Sequence, residues 1–578
     1  MTSIPVSYRL RALAGGPLRR RMRSAQAAFL QAASGQCRQA QQTVLQKLLQ
    51  LNQDSLFSRD RRLVAGMTLN QFRTSIPVSD YELIRPYIQR VAAGEHSALL
   101  GSANRLLMFA VTSGTTAESK LIPVTEQFLS DYRSGWQMWG IGAYSKHELL
   151  QKLNIVQISS SHHKFSTSAQ IPCGNISGLV AAMQNPIVRT LYTVPSAVAE
   201  ITDADTKRYA IMRLALTDPY VGMLITANPS TLLQLIDTAG QHQEQLIRDI
   251  HDGDFRGGIL PDQVRRVLKP ALKKSPARAR VLEQIAAEHG RLIPRLVWPM
   301  LGLLGVWCGG SAAAYLPRLR QLFDNIPVRD HGLHASEGRM TMPLEDNSSA
   351  GVLEVQTHFF EFIPVREADS VNPIVLEAHE LTEGEEYLIL MTTSSGLYRY
   401  NIRDVVRCVG FYGTTPMLEF RHKGAHISSI TGEKLAESQV VESVRAASIA
   451  THFDPRLFTL TPAWGEPPGY TLFVATDHAT SISAGGESTF SPAAQGMLLQ
   501  FATALDHDLR IRNIEYGEKR DTGRLQKISV IPLPDDAWKS FSRNRQQRSG
   551  GSAEQYKHPC LIPDPLFESV FLKTCGLQ

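Results

Sequence analysis

The chemistry-bearing residues of this chain fall into a hydroxylated loop, two carboxylates set in turns and a tryptophan pair beside an arginine. Residues 112–120 read TSGTTAESK and follow directly on the apolar stretch 106–111, LLMFAV. That order can hold phosphate. The hydroxyls of Ser113, Thr115 and Thr116 are short donors, Gly114 lets the backbone turn, and successive amide N–H groups can converge on an anion while Lys120 adds a point charge. An ordinary Ser/Thr-rich turn has the same composition. The Walker pattern G-x-x-x-x-G-K-[ST] occurs nowhere, so P-loop phosphoryl transfer is not indicated.

Ser336 and Glu337 stand in a turn within 327–339, PVRDHGLHASEGR. A carboxylate there is either a solvated side chain or a hard oxygen ligand for Mg²⁺ bridging nucleotide phosphates. His331 and His334 lie three apart with no third ligand at a helpful spacing, and read as loop histidines. Asp404 ends the polar stretch 397–404; an acceptor-only side chain suits a ribose diol, and a salt bridge to Arg399 or Arg403 is the other reading. On the helix expected over 125–150, Trp136 and Trp139 beside Arg133 could line an apolar pocket ending in a carboxylate clamp, or form a buried face with the arginine at its edge. G-x-S-x-G and H-E-x-x-H are both absent.

The elements that must position these groups follow from periodicity. Residues 106–111, 155–161, 192–194 and 221–225 have strand character between helical stretches, which predicts an α/β body. Residues 304–311, LGVWCGGS, run an apolar strand into a glycine turn at Gly310 and Ser311 ahead of a helix over 315–323; such strand ends bind ligands in α/β proteins. Residues 386–412 alternate apolar and polar like adjacent antiparallel strands. Ser79 and Asp80 are candidate caps for a helix carrying Tyr81, Ile84, Ile88 and Val91 on one face.

At 578 residues the chain is too long for one core, so a large domain and a smaller one are expected. With 43% hydrophobic and 20% charged residues it is neither disordered nor membranous, and a net charge of +6 is too mild to argue for nucleic acid. Six scattered cysteines without C-x-x-C point to reduced thiols in the cytoplasm. The first 53 residues hold no Asp or Glu but six arginines between Arg9 and Arg23, a pattern of transit peptides and membrane-surface helices that a basic leader before a packed helix also explains.

Taken together, VTSGTTAESKLIPVT, GVWCGGSAAAYLPRL, LHASEGR, HFFEFIPV, GLYRYNIRDVVRCVGF and QYKHPC occur in the order of one family. The chain resembles the Gretchen Hagen acyl-acid-amido synthetases, of the auxin-responsive type, within the luciferase and acyl-CoA synthetase superfamily. The resemblance implies a ligase that adenylates a carboxylic acid with ATP and Mg²⁺ and passes the acyl group to an amino acid or other amine. It implies an α/β fold: a large N-terminal adenylate-forming domain over 1–421, including the basic leader 1–40, and a smaller mobile α+β C-terminal domain over 422–578, with a candidate hinge at 420–423. By match to the family's motifs, Ser113, Gly114, Thr115, Thr116 and Lys120 bind phosphate, with Gly310 and Ser311 also in the ATP site. Glu337, with Ser336 beside it, takes magnesium and nucleotide, Asp404 takes ribose, and Lys557 is the catalytic lysine brought by the C-terminal domain. Two positions depart from the family: Leu333 and His334 stand where a tyrosine is usual, and Arg403 replaces the glycine before the aspartate. A thioester-forming enzyme and a non-catalytic acid-binding protein are the alternatives.

Overall fold

The computed structural model describes residues 4–112, 120–159, 161–184, 186–368, 370, 372–423, 427–453, 455, 457–475, 492–533, 538 and 560–574. The chain divides into two compact units, one of 1–111 with 121–421 and one of 112–120 with 422–578.

In the first unit, a four-stranded parallel sheet runs in the order Asn154–Gln157, Val221–Ile225, Leu303–Gly305, Val328–Arg329. Every residue of Val221–Ile225 is buried, as a central parallel strand covered on both faces must be. The helices Ala204–Thr217 and Pro229–Gln241 enclose it, each started by a side-chain cap, from Asp203 and Asn228. The stretch 192–194, expected as a strand, contributes only a bridge from Tyr192 to Ile155.

A seven-stranded sheet follows in the order Thr341–Met342, Gly351–Leu353, Thr415–Lys423, Tyr400–Tyr412, Glu386–Thr392, Phe359–Pro364, Leu376–Glu377. Its middle strands carry much of a second core through Phe360, Phe362, Ile389 and Val406. Within it the buried Glu361 accepts from Arg73 Nε at 2.8 Å and from Arg399 Nε at 2.9 Å, so Arg399 is committed to Glu361. A third sheet, of four strands, contains Leu106–Thr112 and Lys120–Thr125, the latter leading into the helix Glu126–Lys146 capped by Thr125. The helix Tyr81–Ala92 is capped by Asp80 and buries Tyr81, Ile84, Ile88 and Val91; Ser79 instead donates its hydroxyl to the Tyr398 carbonyl. The basic leader is helical, Val6–Ala14 and Gly16–Gly35, ahead of Cys37–Asn52.

The second unit builds a three-stranded sheet, Phe458–Ala463 antiparallel to Gly469–Ala475, which runs parallel to Ser529–Leu533. Helices Glu437–Thr451 and Pro492–Arg512 pack together over it, with Phe453 edge-on to Phe501. Glu433 is buried in the turn before the first helix and accepts from the amides of Ile430 and Thr431 at 2.7 and 2.8 Å. Downstream, the Cys560 amide donates to Glu437 Oε1 at 2.6 Å, which ties residue 560 to the start of that helix. Among the described residues no helix is long and apolar enough to cross a membrane.

Candidate functional site

The last two strands of the parallel sheet pair in register, Leu304 with Val328 and Gly305 with Arg329, so the segments leaving their C-terminal ends emerge side by side. One begins Val306, Trp307, Cys308 and the other Asp330, His331, Gly332. Asp330 fastens them. Its carboxylate accepts from the amides of Cys308 and Gly332 at 2.5 and 2.6 Å, and its backbone carbonyl accepts from the Trp139 indole at 2.7 Å. Burial pushes its carboxyl up to about 6 against those two hydrogen bonds and the charge of Arg339. Gly332 makes the turn possible: it sits at φ +80°, and a Cβ there would lie 2.2 Å from the Thr341 carbonyl oxygen.

Trp136 is the centre of the aromatic cluster that results. Its ring meets His331, His334 and Trp139 edge-on at 5.0, 5.7 and 5.7 Å, and Trp307 lies 5.3 Å from His334. Trp136, Trp307 and His334 are half-buried, whereas Trp139 and His331 are enclosed. Burial, followed by the charge of Arg339, lowers the His334 imidazole to about 3; burial holds His331 well below its ordinary value. Both rings are therefore neutral at neutral pH. His334 Nδ1 lies 2.9 Å from the Gly332 carbonyl, an acceptor only, so Nδ1 carries the proton and Nε2 is left as an acceptor.

The cation of this cluster is Arg339. Its stem crosses helix Glu126–Lys146 at Gly135, where a Cβ would come within 2.3 Å of the arginine Cδ, and its guanidinium lies 5.0 Å over the Trp136 ring. Nη2 donates to the His331 carbonyl, while Nε and Nη1 are buried without a partner among the described residues. Glu354 is equally buried, one oxygen unpartnered, and burial raises its carboxyl to about 7.

Arg339 also belongs to the hairpin that presents the predicted glutamate. His334–Ala335 pairs antiparallel with Gly338–Arg339, Gly338 opposite Ala335, which leaves Ser336 and Glu337 as a two-residue turn. Glu337 is 6% exposed and has no hydrogen-bond or ion-pair partner among the described residues. Its charge acts on Tyr400, whose hydroxyl is raised well above its usual value by burial first and by Glu337 next. Tyr400 opens the strand that carries Asp404. That strand bulges: Leu388 pairs with Val405 and Leu390 with Asn401, so residues 402–404 oppose one residue of the neighbouring strand, and Asp404 is buried at the end of the bulge.

Other expected residues are placed less centrally. Gly310 adopts φ +58° at the start of the 3₁₀ turn Gly310–Tyr315, where a Cβ would press to 2.8 Å of the Phe420 ring; the Ser311 backbone continues that turn. Lys120 opens its strand half-buried. Arg133 donates to the Met183 carbonyl at 2.6 Å, so the arginine over Trp136 is Arg339 rather than its helix neighbour. Ser113, Gly114, Thr115, Thr116 and Lys557 lie outside the described residues. The sequence reading passed over Arg339, Trp307, Asp330 and Glu354. Trp307, Asp330 and Arg339 carried a signal, since each lies within a strand-end or turn stretch already singled out.

Models of the GH3 family match the chain in three consecutive pieces: the N-terminal domain over residues 26–328, the central domain over 351–423 and the C-terminal domain over 438–565. Among similar proteins, a probable indole-3-acetic acid-amido synthetase, GH3.4 of Oryza sativa subsp. japonica, is 27% identical over 561 residues, covering 92% of this chain and 87% of its own. Another, GH3.1 of Arabidopsis thaliana, is 25% identical over 437 residues, 71% of either chain. The solved structure of GH3.15 acyl acid amido synthetase superposes with a TM-score of 0.63 over 95% of both chains at 22% identity, which is a likeness of fold. The protein is a member of the GH3 family.

Proposed function

We propose that this protein is an ATP-dependent acyl-acid-amido synthetase: it adenylates a carboxylic acid and transfers the acyl group to the amino group of an amino acid. Its relatives are named indole-3-acetic acid-amido synthetases, and a protein of the same fold is named an acyl acid amido synthetase. The observation that carries the reading is the half-open aromatic cluster around Trp136, set at the ends of parallel strands and sharing a hairpin with the Glu337 turn. A flat acid fits such walls, and its carboxylate would be delivered toward the turn.

The chemistry asks first for charge control, because a carboxylate must approach the α-phosphorus of ATP. Glu337 suits Mg²⁺, being a hard oxygen donor with no partner among the described residues, and the ion would supply charge neutralisation on the phosphates. Ser113, Gly114, Thr115, Thr116 and Lys120 hold phosphate, Gly310, Ser311 and Ser336 belong to the same ATP site, and Asp404 accepts from the ribose. Lys557 is the catalytic cation. Residues 422–578 form the mobile domain, hinged over 420–423, and exclude water from the reactive acyl-adenylate. Neutral His331 and His334 leave the acid unprotonated while the attack proceeds. The buried free thiols of Cys37, Cys173, Cys308 and Cys408 suit a reducing cytoplasm.

The test is pyrophosphate release from ATP and Mg²⁺ across a panel of aryl and alkyl carboxylic acids, with and without mixed amino acids, followed by mass spectrometry. Acid-dependent release and a product of amide mass are expected. Silence across the panel, with no ATP binding by calorimetry, would overturn the reading.

A further inference from the structure

Arg339 is a cation enclosed in protein that makes no ion pair among the described residues. The side chain is 1% exposed, one of its nitrogens is spent on the His331 carbonyl, and Nε and Nη1 have no partner among the described residues. The charges of Glu354 and Asp330 act on it from a distance without pairing with it. His331 and His334 are neutral, the Asp330 carboxylate is occupied by two backbone amides, and Glu354 makes no hydrogen bond with it among the described residues. Leaving two nitrogens of a buried guanidinium unpaired is costly for the fold. The surroundings nevertheless hold it rigidly: Gly135 makes room for its stem, Trp136 supports its face, and His334 pairs opposite it across the hairpin. A fixed, desolvated donor pair beside half-open aromatic rings is how a protein prepares to receive an acceptor group on a ligand.

We propose that Arg339 receives a second anionic group of the acid substrate, remote from the carboxylate that reacts, so that the enzyme selects aromatic or conjugated diacids over the corresponding simple acids. This inference rests on the acyl-acid reading given above. The reacting carboxylate is the wrong occupant for this arginine. A guanidinium clamped on a nucleophilic oxygen stabilises the ground state and raises the barrier to attack. The Glu337 turn, which would face the nucleotide, lies on the same hairpin, so an acid held by Arg339 at one end still offers its other carboxylate toward that turn.

The test uses the full-length protein and matched acids: benzoate against isophthalate and terephthalate, and phenylacetate against 4-carboxyphenylacetate. Binding is followed by quenching of tryptophan fluorescence, turnover by pyrophosphate release. At least one diacid should exceed its parent acid by about 100-fold in affinity or in kcat/KM, since a site built around a buried donor rejects ligands that leave it unpaired. Arg339→Met should collapse that ratio toward one, and so should Gly135→Ala, whose added methyl displaces the arginine without removing it. The second variant keeps the test decisive if the first fails to fold. Equal behaviour of both members of every pair, including binding of neither, overturns the proposal, as does a ratio unchanged in the variants. Parallel loss of both acids on substitution also overturns it, because it would place the reacting carboxylate or a purely structural role at Arg339. Diacid-selective binding without pyrophosphate release would leave the arginine's role standing and remove the adenylation reading; release without selectivity would do the reverse.

Discussion

The backbone N–H of Arg403 donates to Asn401 Oδ1 at 2.8 Å, with Arg403 itself in the left-handed conformation at φ +60°. The two residues form the turn of the bulge that ends at Asp404. An arginine thus occupies the backbone conformation a glycine would take there, with Asn401 offsetting part of the strain. For an L-residue that conformation costs about 1–2 kcal/mol, partly returned by the greater unfolded-state freedom of glycine. Arg403→Gly is therefore expected to stabilise the first unit by about 0.5–1 kcal/mol in urea unfolding and to leave ATP affinity within a factor of two. Asn401→Ala should loosen the turn and weaken ATP binding in calorimetry.

Trp136 and Trp139 share a helix but carry different loads. Trp139 is enclosed and its indole donates to Asp330, so Trp139→Ala removes core volume and a buried hydrogen bond; a loss of about 3–5 kcal/mol is expected. Trp136 is half-buried among rings. Trp136→Ala should cost less stability and more function, with the acid's kcat/KM falling about 100-fold and the melting temperature moving much less than for Trp139→Ala. A Trp136→Ala enzyme with unaltered acid kinetics would remove the aromatic cluster from the acid site.

Much of the scaffold was legible because local rules and tertiary demands agree in it. The buried strand Val221–Ile225, the Asp80-capped helix and the apolar strand leading to Gly310 each follow from residues adjacent in sequence. The chemistry of the pocket was less legible, because it depends on partners brought together by the sheet. Arg133 was the natural choice for an arginine beside Trp136, yet it points to Met183, while Arg339 arrives from a hairpin far along the chain through space left by Gly135. Asp330 likewise looks like any loop aspartate until the parallel register sets Cys308 and Gly332 on either side of its carboxylate. The bulge before Asp404 had one visible sign, Arg403 in a position where glycine was expected, and its meaning is conformational.

Lys557 and Asp404 should separate kinetically. A lysine that neutralises charge at the reacting phosphate acts mainly in the transition state, so Lys557→Ala should lower the adenylation rate by about 100-fold or more while ATP binding survives. Asp404→Ala should instead weaken ATP binding by about tenfold or more, since a ribose acceptor contributes to ground and transition states alike. Single-turnover adenylation together with ATP calorimetry resolves the two. An unchanged adenylation rate in the lysine variant would exclude the role assigned to it.

Glu354 gives a pH signature that does not depend on activity. Its carboxyl is raised from 4.5 to about 7, by burial first, with the charge of Arg339 opposing the rise. A group with a raised folded-state pKa binds its proton more tightly in the native state, so its contribution is fully present below the unfolded value and is lost as pH climbs through the folded one. Ionisation of Glu354 therefore destabilises the fold progressively between about pH 4.5 and 7. Glu354→Gln, which keeps the shape of the protonated acid, removes that penalty. The stability of the variant minus that of the wild type should rise across this interval, by roughly 3 kcal/mol at most, and level off above it. Urea unfolding of both proteins at pH 5 and pH 8 measures the difference directly. A constant offset between the two pH values would mean that Glu354 is already ionised throughout, held by the Arg339 charge more strongly than its burial opposes it.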